Sequence, residues 1–406
     1  MAKRIQQIPY SLSTVCIITI IVLLLGGLVP ATTNAWAPSR IEGTNESVGD
    51  KDKDKDKHKH KDKDKDKDGD GKGNGDGEIP LDRSYDLDVL VISYFPLTEE
   101  GTVDVDITGE GVLEGVSYEE IKQKTEDITN NLVLFREEAS RYLGYADSSA
   151  EPALDYHIFG DAIEHLEAVP IDADARVPLY PDYPGIMSDH DVCDYVDNRG
   201  IDEVWIWAYQ GYPETKLHGS ESRMSGPFGD ISNSWRFNDM PICTSTYVVY
   251  TYNYARGTAE AFENWGHQIE VELAHVDNPV DDILGKFMGP NYPRMLDVPG
   301  RCGSVHNAPN AAFEYDRFSP DPHPSDCLDW DADGLGELSD ISCETWGCGE
   351  ETDTGNSPLL YMIWHWQNLP GINNSKEYQG EQLHNWWDLQ GDFDNVMANS
   401  RRLTVN

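Results

Sequence analysis

Basic side chains are scarce through most of this 406-residue chain, which narrows the classes of partner it can have. Residues 79 to 406 contain 18 Lys and Arg against 60 Asp and Glu, which accounts for the whole formal charge of −42. So acidic a surface repels phosphate backbones and anionic membranes, and we therefore expect no nucleic-acid partner. The same field attracts cations, and much of the charge also serves solubility.

Several functional motifs are also missing. No two cysteines have the C-x-x-C spacing, which argues against a thiolate zinc site. No G-x-S-x-G, P-loop or G-x-G-x-x-G string follows a predicted strand, so serine hydrolases and nucleotide-binding proteins lack support. The six cysteines after Cys16 instead fit an exported chain with up to three disulfides, and Cys343 and Cys348 are close enough to close one loop.

Residues 1 to 37 have the features of an export signal. A basic start is followed by an apolar run from Thr14 to Val29 and by small residues at Ala35 and Ala37. The run is shorter than the roughly 20 residues that cross a bilayer, which favours cleavage after Ala37. An uncleaved segment would instead tether the chain to a membrane. In either case we expect a secreted or extracytoplasmic protein.

Residues 38 to 84 are predicted to form a disordered stalk. Their long run of alternating Lys and Asp contains no apolar residue and cannot bury enough surface to offset the loss of chain entropy. The rest of the chain, residues 85 to 400, is predicted to form a single globular domain.

Strands and helices alternate through the first part of this domain. Strands are predicted at 85–97, near 153–159, at 201–209 and at 245–254, and helices at 117–145, 189–200 and 254–276. This order predicts an α/β fold with a mixed or mostly parallel sheet flanked by helices. From about residue 290, Pro, Gly, Asn and Asp dominate, which predicts a loop-rich, disulfide-held portion with a helix near 357–369.

The helix at 254–276 carries the strongest indication of function. Glu263, His267 and Glu270 are spaced by four and three residues and therefore share one helix face. We predict that His267 and Glu270 bind one metal ion and that His306, in a Gly-rich loop, is the third ligand; His275 is the local alternative. The other interpretation is a plain His–Glu hydrogen bond at the helix surface.

Three protein ligands with one open position suit zinc, which lowers the pKa of a bound water. Glu221 or Glu263 would then be the base. Arg256 would hold a substrate carboxylate or a developing oxyanion.

Residues 327 to 343 have the ligand spacing of a calcium loop. Its ligand positions are Asp329, Asp331, Asp333, Leu335, Glu337 and Asp340. Gly334 stands where the turn requires glycine, but Gly336 replaces the usual apolar residue and the flanks do not resemble a helix pair. A structural calcium ion and a solvated acidic turn, clipped by Cys327 and Cys343, both fit this pattern.

Five strings resemble motifs of a family of secreted microbial proteins. They are "IDEVWIW", "ESRMSGP", "YNYARGTAEAFENWGHQIE", "CGSVHNAPN" with the following "EYD", and the late "NWW", which together cover about residues 200 to 390. The resemblance implies that one recurring, active-site-like set includes Glu221, Arg256, Glu263, His267, Glu270, His306 and Asn307. The stalk and the calcium-like loop are not part of it.

Three functions follow as hypotheses. The first is an exported metal-dependent hydrolase that acts on peptide or amide bonds. The second is a non-catalytic, calcium-stabilised surface protein that displays a binding domain on its stalk. The third is a glycosidase that uses Glu214 and Glu221 as acid and base, although both could equally be ordinary loop residues.

Overall fold

The computed structural model describes residues 82–172, 181–210, 221–234, 236, 238–289, 301–348 and 357–404. The chain divides into two units, Met1–Asn74 and Gly75–Asn406. The first unit, the predicted export signal and nearly all of the predicted stalk lie outside the described residues.

A mostly parallel sheet forms the centre of the second unit. Its strands are β1 (Tyr85–Tyr94), β2 (Leu154–Ile158), β3 (Ile163–His165), β4 (Ile201–Ala208), β5 (Ser222–Ser225) and β6 (Tyr247–Asn253). Their order is β2-β1-β4-β6-β5, and β3 pairs with the last residues of β1 on the β2 side. Only β5 runs antiparallel to its neighbour β6. The predicted α/β fold is confirmed.

The helices are α1 (Val105–Thr108), α2 (Tyr118–Ala139), α3 (Tyr183–Asp189), α4 (Val192–Arg199), α5 (Thr258–Val276), α6 (Ile283–Met288), α7 (Ser357–Gln367), α8 (Asp388–Gly391) and α9 (Phe393–Ala398). Helix α2 begins with a capping box in which Ser117 and Glu120 satisfy each other's backbone N–H groups. Short 3₁₀ turns lie at Gly111–Leu113, Cys327–Asp329 and Cys343–Thr345.

Helices cover both faces of the sheet. Tyr252 of β6 contacts Arg136 of α2, whereas the adjacent Thr251 hydroxyl lies 2.8 Å from the Tyr183 hydroxyl of α3. Since neighbouring residues of a strand point to opposite faces, α2 and α3 lie on opposite sides. Helices α5 and α7 pack against α2, and α3 packs against α4.

The strand order changes direction between β1 and β4, and polar side chains gather beyond the carboxyl ends of β4 and β6. Glu110 accepts hydrogen bonds from Asn253, which ends β6, at 2.8 Å and from the Gln210 amide, after β4, at 3.3 Å. This is the edge at which open α/β sheets hold ligands. Helix α5 starts at this edge, directly after β6.

The portion from residue 301 onward is held by disulfides and short strands. Cys302 pairs with Cys327 and Cys343 pairs with Cys348, so the suggested Cys327–Cys343 clip is wrong; a third disulfide joins Cys193 to Cys243. Strand β7 (His323–Ser325) pairs with β8 (Ser339–Ile341), and β9 (Glu377–Tyr378) with β10 (Glu381–Gln382). Among the described residues, no helix combines the length and apolar character needed to span a bilayer.

A buried ion pair connects α2 to the sheet. Arg136 is fully buried, and its guanidinium donates to Glu203 of β4 at 2.7 Å and also to the Tyr252 hydroxyl. The indole of Trp205 donates to the same carboxylate at 2.6 Å, and its ring lies beneath the guanidinium. The pair is therefore fully desolvated and depends on both partners.

We predict that Arg136→Leu will destabilise the protein by about 3 to 5 kcal/mol, because Glu203 would remain buried without its cation. The double variant Arg136→Leu/Glu203→Leu should recover most of this loss, since no lone charge remains. Urea denaturation measures both changes. Arg199→Ala, which removes an exposed partner of Asp194, is the control and should move the midpoint little. Equal destabilisation by Arg136→Leu and by Arg199→Ala would contradict the prediction.

Candidate metal centre

Helix α5 presents two carboxylates and an imidazole on one half-buried flank. Residues three and four positions apart share a face at 3.6 residues per turn, so Glu260, Glu263 and His267 lie on successive turns. With a rise of about 1.5 Å per residue, His267 lies about 10 Å further along the axis than Glu260. The flank therefore runs from the sheet edge down the side of the domain.

A tight turn at residues 304–307 brings His306 to this flank. The Ser304 and Asn307 backbones bond each other at 2.9 and 3.1 Å. From α7, the Tyr361 hydroxyl donates to the carbonyls of the same two residues at 2.9 and 2.8 Å. These contacts fix the turn on a buried tyrosine, so the position of His306 is set by the packing of α7 against α5.

The close approach of this turn to α5 depends on Gly266. A Cβ atom at residue 266 would lie 2.8 Å from the Cγ2 atom of Val305 and 3.2 Å from the Trp366 ring. The Val305 amide also donates to Glu270 Oε1 at 2.8 Å. The missing side chain therefore allows the turn to dock on the helix and to hydrogen-bond it.

Three ligand atoms converge where the turn meets the helix. The Nε2 atoms of His267 and His306 are 2.9 Å apart, and Glu263 Oε1 lies 3.4 Å from the His306 Nε2 and 3.8 Å from the His267 Nε2. Tetrahedral bonds of about 2.0 to 2.1 Å would place ligand atoms about 3.3 Å apart. The measured separations bracket that value, so the group has the dimensions of a metal site.

Carboxylates orient both imidazole rings. Glu270 Oε2 lies 3.3 Å from the His267 Nδ1, and Glu314 Oε1 lies 3.0 Å from the His306 Nδ1. Each ring therefore presents its other nitrogen, Nε2, to the shared point, and the rings are nearly perpendicular at 89°. Such carboxylate–histidine pairs are usual behind metal ligands, because they fix the tautomer and raise ligand basicity.

The two glutamates thus have positions different from those the spacing suggested. Glu270, expected as a ligand, has one oxygen on the His267 Nδ1 and the other on the Val305 amide. Glu263, expected as a base, supplies the third atom of the group. The physical reason is that both share a stripe with His267, but only Glu263 faces the Nε2 side of the ring.

Charge balance in this group comes from Arg317. Its guanidinium donates to Glu263 Oε2 at 2.9 Å and also to the Val305 carbonyl. Burial opposes ionisation of Glu263, but hydrogen bonds from both imidazoles and the Arg317 charge hold the pKa of that carboxyl well below its usual range. Burial also opposes a charge on His267, yet Glu263 and Glu270 raise its pKa to about 9.

Glu260 is a further acidic side chain on this flank, and the sequence patterns did not single it out. Burial raises the pKa of Glu260 to about 7; the Arg256 charge opposes this shift, and the charges of Glu263 and Glu110 add to it. Arg256, expected to hold a substrate anion, forms an ion pair with Glu260 and lies 3.4 Å from the Gln210 side chain. The i, i+4 spacing of Arg256 and Glu260 was the available signal.

Glu221, the other expected base, points to the opposite face of the sheet. The adjacent Ser222 hydroxyl donates to Gln268 on α5 at 2.5 Å, so by strand alternation the Glu221 side chain faces α3. Its charge accordingly acts on Tyr183 of α3. His275 is exposed and near Arg402 rather than in the ligand group. Glu214 lies outside the described residues.

Carboxylates of the acidic loop at 327–343 accept hydrogen bonds from backbone amides. Asp331 accepts from the Asp333 and Leu335 amides, Asp329 from the Glu337 amide and Asp333 from the Gln379 amide. Asp340 lies on strand β8. Within residues 301–348 these side chains do not bring three ligand atoms together. Gly334, however, has the left-handed φ of +79° that a calcium loop needs at this position.

One other group of three ligand-type side chains occurs among the described residues. Asp86, Asp155 and His157 lie on β1 and β2, with His157 Nε2 3.9 Å from Asp86 and 3.8 Å from Asp155. All three are solvent-exposed, and neither carboxylate approaches hydrogen-bonding distance. This exposed group is therefore a suitable control for the half-buried group at His267.

Comparison of the chain with protein-family models, with curated proteins and with solved structures returned no match. The resemblance to a family of secreted microbial proteins therefore stays a prediction.

We predict that Gly266→Ala will weaken the docking of the 304–307 turn. A new methyl group should gain up to about 1 kcal/mol of helix propensity but cost about 1 to 3 kcal/mol through its contact with Val305. Urea denaturation should therefore show net destabilisation. Gly111→Ala is the control, since nothing lies within 4 Å of the Cβ position there. A stabilised Gly266→Ala variant would contradict the prediction.

Proposed function

We propose that the protein is an exported metal-dependent hydrolase that cleaves peptide or amide bonds. The observation that carries this proposal is the convergence of Glu263, His267 and His306 on one point, with a carboxylate behind each imidazole. Three protein ligands leave one position for water or substrate, which is the arrangement of catalytic rather than structural zinc sites. No nucleic acid is expected to bind, because of the acidic surface.

Zinc is the metal we propose, held by two imidazole nitrogens and one carboxylate oxygen. At this position it would lower the pKa of water and polarise a carbonyl group. The same donor set also suits iron(II) in oxygen-using enzymes. Metal analysis therefore decides between hydrolytic and oxidative chemistry.

Glu260 is the proposed general base. It lies one turn from Glu263 on the same flank of α5, is partly covered, and is paired with Arg256. Glu263 is engaged with Arg317 and the imidazoles, and Glu221 faces the other side of the sheet. These positions favour Glu260 for removing a proton from attacking water and passing it to the leaving amine.

A glycosidase receives less support. That reaction needs two carboxyl groups that face each other about 5 to 10 Å apart. Glu221 points away from the α5 flank, and Glu214 lies outside the described residues.

Secretion, with or without an N-terminal tether to the membrane, is proposed from the sequence alone.

A calcium-stabilised surface protein is the second candidate, and one observation favours it. Gly334 has a left-handed backbone at the sixth position of the acidic loop, as calcium loops do. Asp329, Asp331 and Asp333 each use one carboxylate oxygen on backbone amides, so calcium would have to be bound by their other oxygens.

We predict that protein purified without chelator will contain one zinc per chain. His267→Ala and His306→Ala should each lose it, because each removes one of the two imidazole ligands of the site. His157→Ala, in the exposed group, is the control and should retain the full content. Elemental analysis by mass spectrometry measures zinc, iron and calcium together. Iron in place of zinc, or calcium alone and unaffected by His267→Ala, would overturn the proposed hydrolase.

We predict that hydrolysis of a quenched fluorescent peptide library will increase as pH rises through about 7, where Glu260 ionises. Glu260→Gln should reduce the rate by about 10² to 10⁴-fold. Arg256→Ala removes a charge that favours the carboxylate, so the rise should move to higher pH. Glu110→Gln removes a repelling charge and should move it to lower pH. A pH profile unchanged in both variants would exclude Glu260 as the base.

A further inference from the structure

The Tyr315 hydroxyl lies beside the ligand group, next to His306. Its oxygen is 3.0 Å from the Nε2 of His306, the same nitrogen that faces His267 at 2.9 Å and Glu263 at 3.4 Å. The His306 Nε2 is thus surrounded by three further ligand-type atoms. All three separations are close to the roughly 3.3 Å expected between neighbours around a tetrahedral ion.

The backbone of Tyr315 is held in an uncommon conformation that delivers this hydroxyl. Its φ of +64° lies in the left-handed region, which costs a bulky residue about 1 to 2 kcal/mol. The Tyr315 amide donates to the His306 carbonyl at 3.0 Å, and the Tyr315 carbonyl accepts from the Arg317 amide at 2.9 Å. Strain maintained in this way at a cluster of ligand-type atoms indicates a functional constraint.

The side chain is nonetheless free to leave. Tyr315 is 46% exposed, in a segment that also exposes Phe313 and Phe318. Its ring packs against the His306 ring, with centroids 4.5 Å apart and the ring planes inclined at 42°. Rotation about its side-chain bonds would move the hydroxyl into solvent and take the ring away from the Arg317 guanidinium, which lies 5.3 Å from the ring centroid. The buried Tyr361 would still hold the turn, and Arg317 would still hold Glu263.

We propose that the Tyr315 oxygen is the fourth ligand of the metal ion in the resting protein and is displaced when a substrate or inhibitor with a metal-binding group arrives. This proposal rests on the proposed metal site but not on the reaction. Coordination as phenolate releases the phenol proton to solvent, and displacement takes one proton back. The residue would thereby shield the ion from adventitious ligands until substrate arrives.

Copper(II) provides a direct test, because a phenolate bound to copper(II) gives a visible charge-transfer absorption. Metal-free wild-type protein loaded with one equivalent of copper(II) should show this band. Tyr315→Phe should bind one equivalent and lack the band, and Phe313→Leu, the control from the same segment, should keep it. Acetohydroxamic acid, a bidentate metal ligand, should abolish the band in the wild type while copper stays bound.

The outcomes separate this proposal from the metal site itself. If His267→Ala binds copper(II) as tightly as the wild type, the ion is elsewhere and the metal site fails. If wild-type binding requires His267 but gives no charge-transfer band, the site stands and the role of Tyr315 is wrong. A band that persists in Tyr315→Phe, or that survives acetohydroxamic acid, also overturns the proposal.

Discussion

The docking of one turn against one helix is the constraint on which the whole candidate site depends. Gly266 has no side chain where Val305 approaches, and the Val305 amide reaches Glu270 only because of that contact. The imidazole of His306 comes within 2.9 Å of His267 as a consequence. Both residues would otherwise be ordinary surface histidines on an acidic protein, each paired with a nearby carboxylate.

Once the turn is docked, each surrounding group contacts a different atom of the ligand side chains and has a different effect. Carboxylates behind the rings hold the Nδ1 atoms, which leaves the Nε2 atoms to meet. Arg317 neutralises Glu263 from the buried side. At this one position the chain places three carboxylates around the two imidazoles, and Arg317 offsets only one of those carboxylates before any cation arrives. The negative electrostatic field of the chain would favour a cation bound at this position.

Sequence patterns predicted the sheet, because helix periodicity and strand alternation are local properties. The approach of His306 to His267 was predicted on other grounds, from the place of His306 in a Gly-rich loop. The patterns did not separate Glu263 from Glu270, since both lie on one stripe. Tertiary contacts distinguish them: the Val305 amide donates to Glu270, and Arg317 donates to Glu263. Glu260 was missed because an Arg–Glu pair four residues apart resembles a surface pair, and its burial comes from tertiary packing. The left-handed backbone of Tyr315 has no sequence signal at all. Disulfide partners were likewise undetermined, as cysteine spacing does not fix connectivity.

The Cys302–Cys327 disulfide encloses His306, Glu314, Tyr315 and Arg317, which is the entire half of the site that does not come from α5. Closing this 25-residue loop removes about 3.5 kcal/mol of chain entropy from the unfolded state. Reduction of that single bond would therefore lower the stability of the loop that carries all four side chains. The proposed binding of a cation would thereby depend on the redox state of the surroundings.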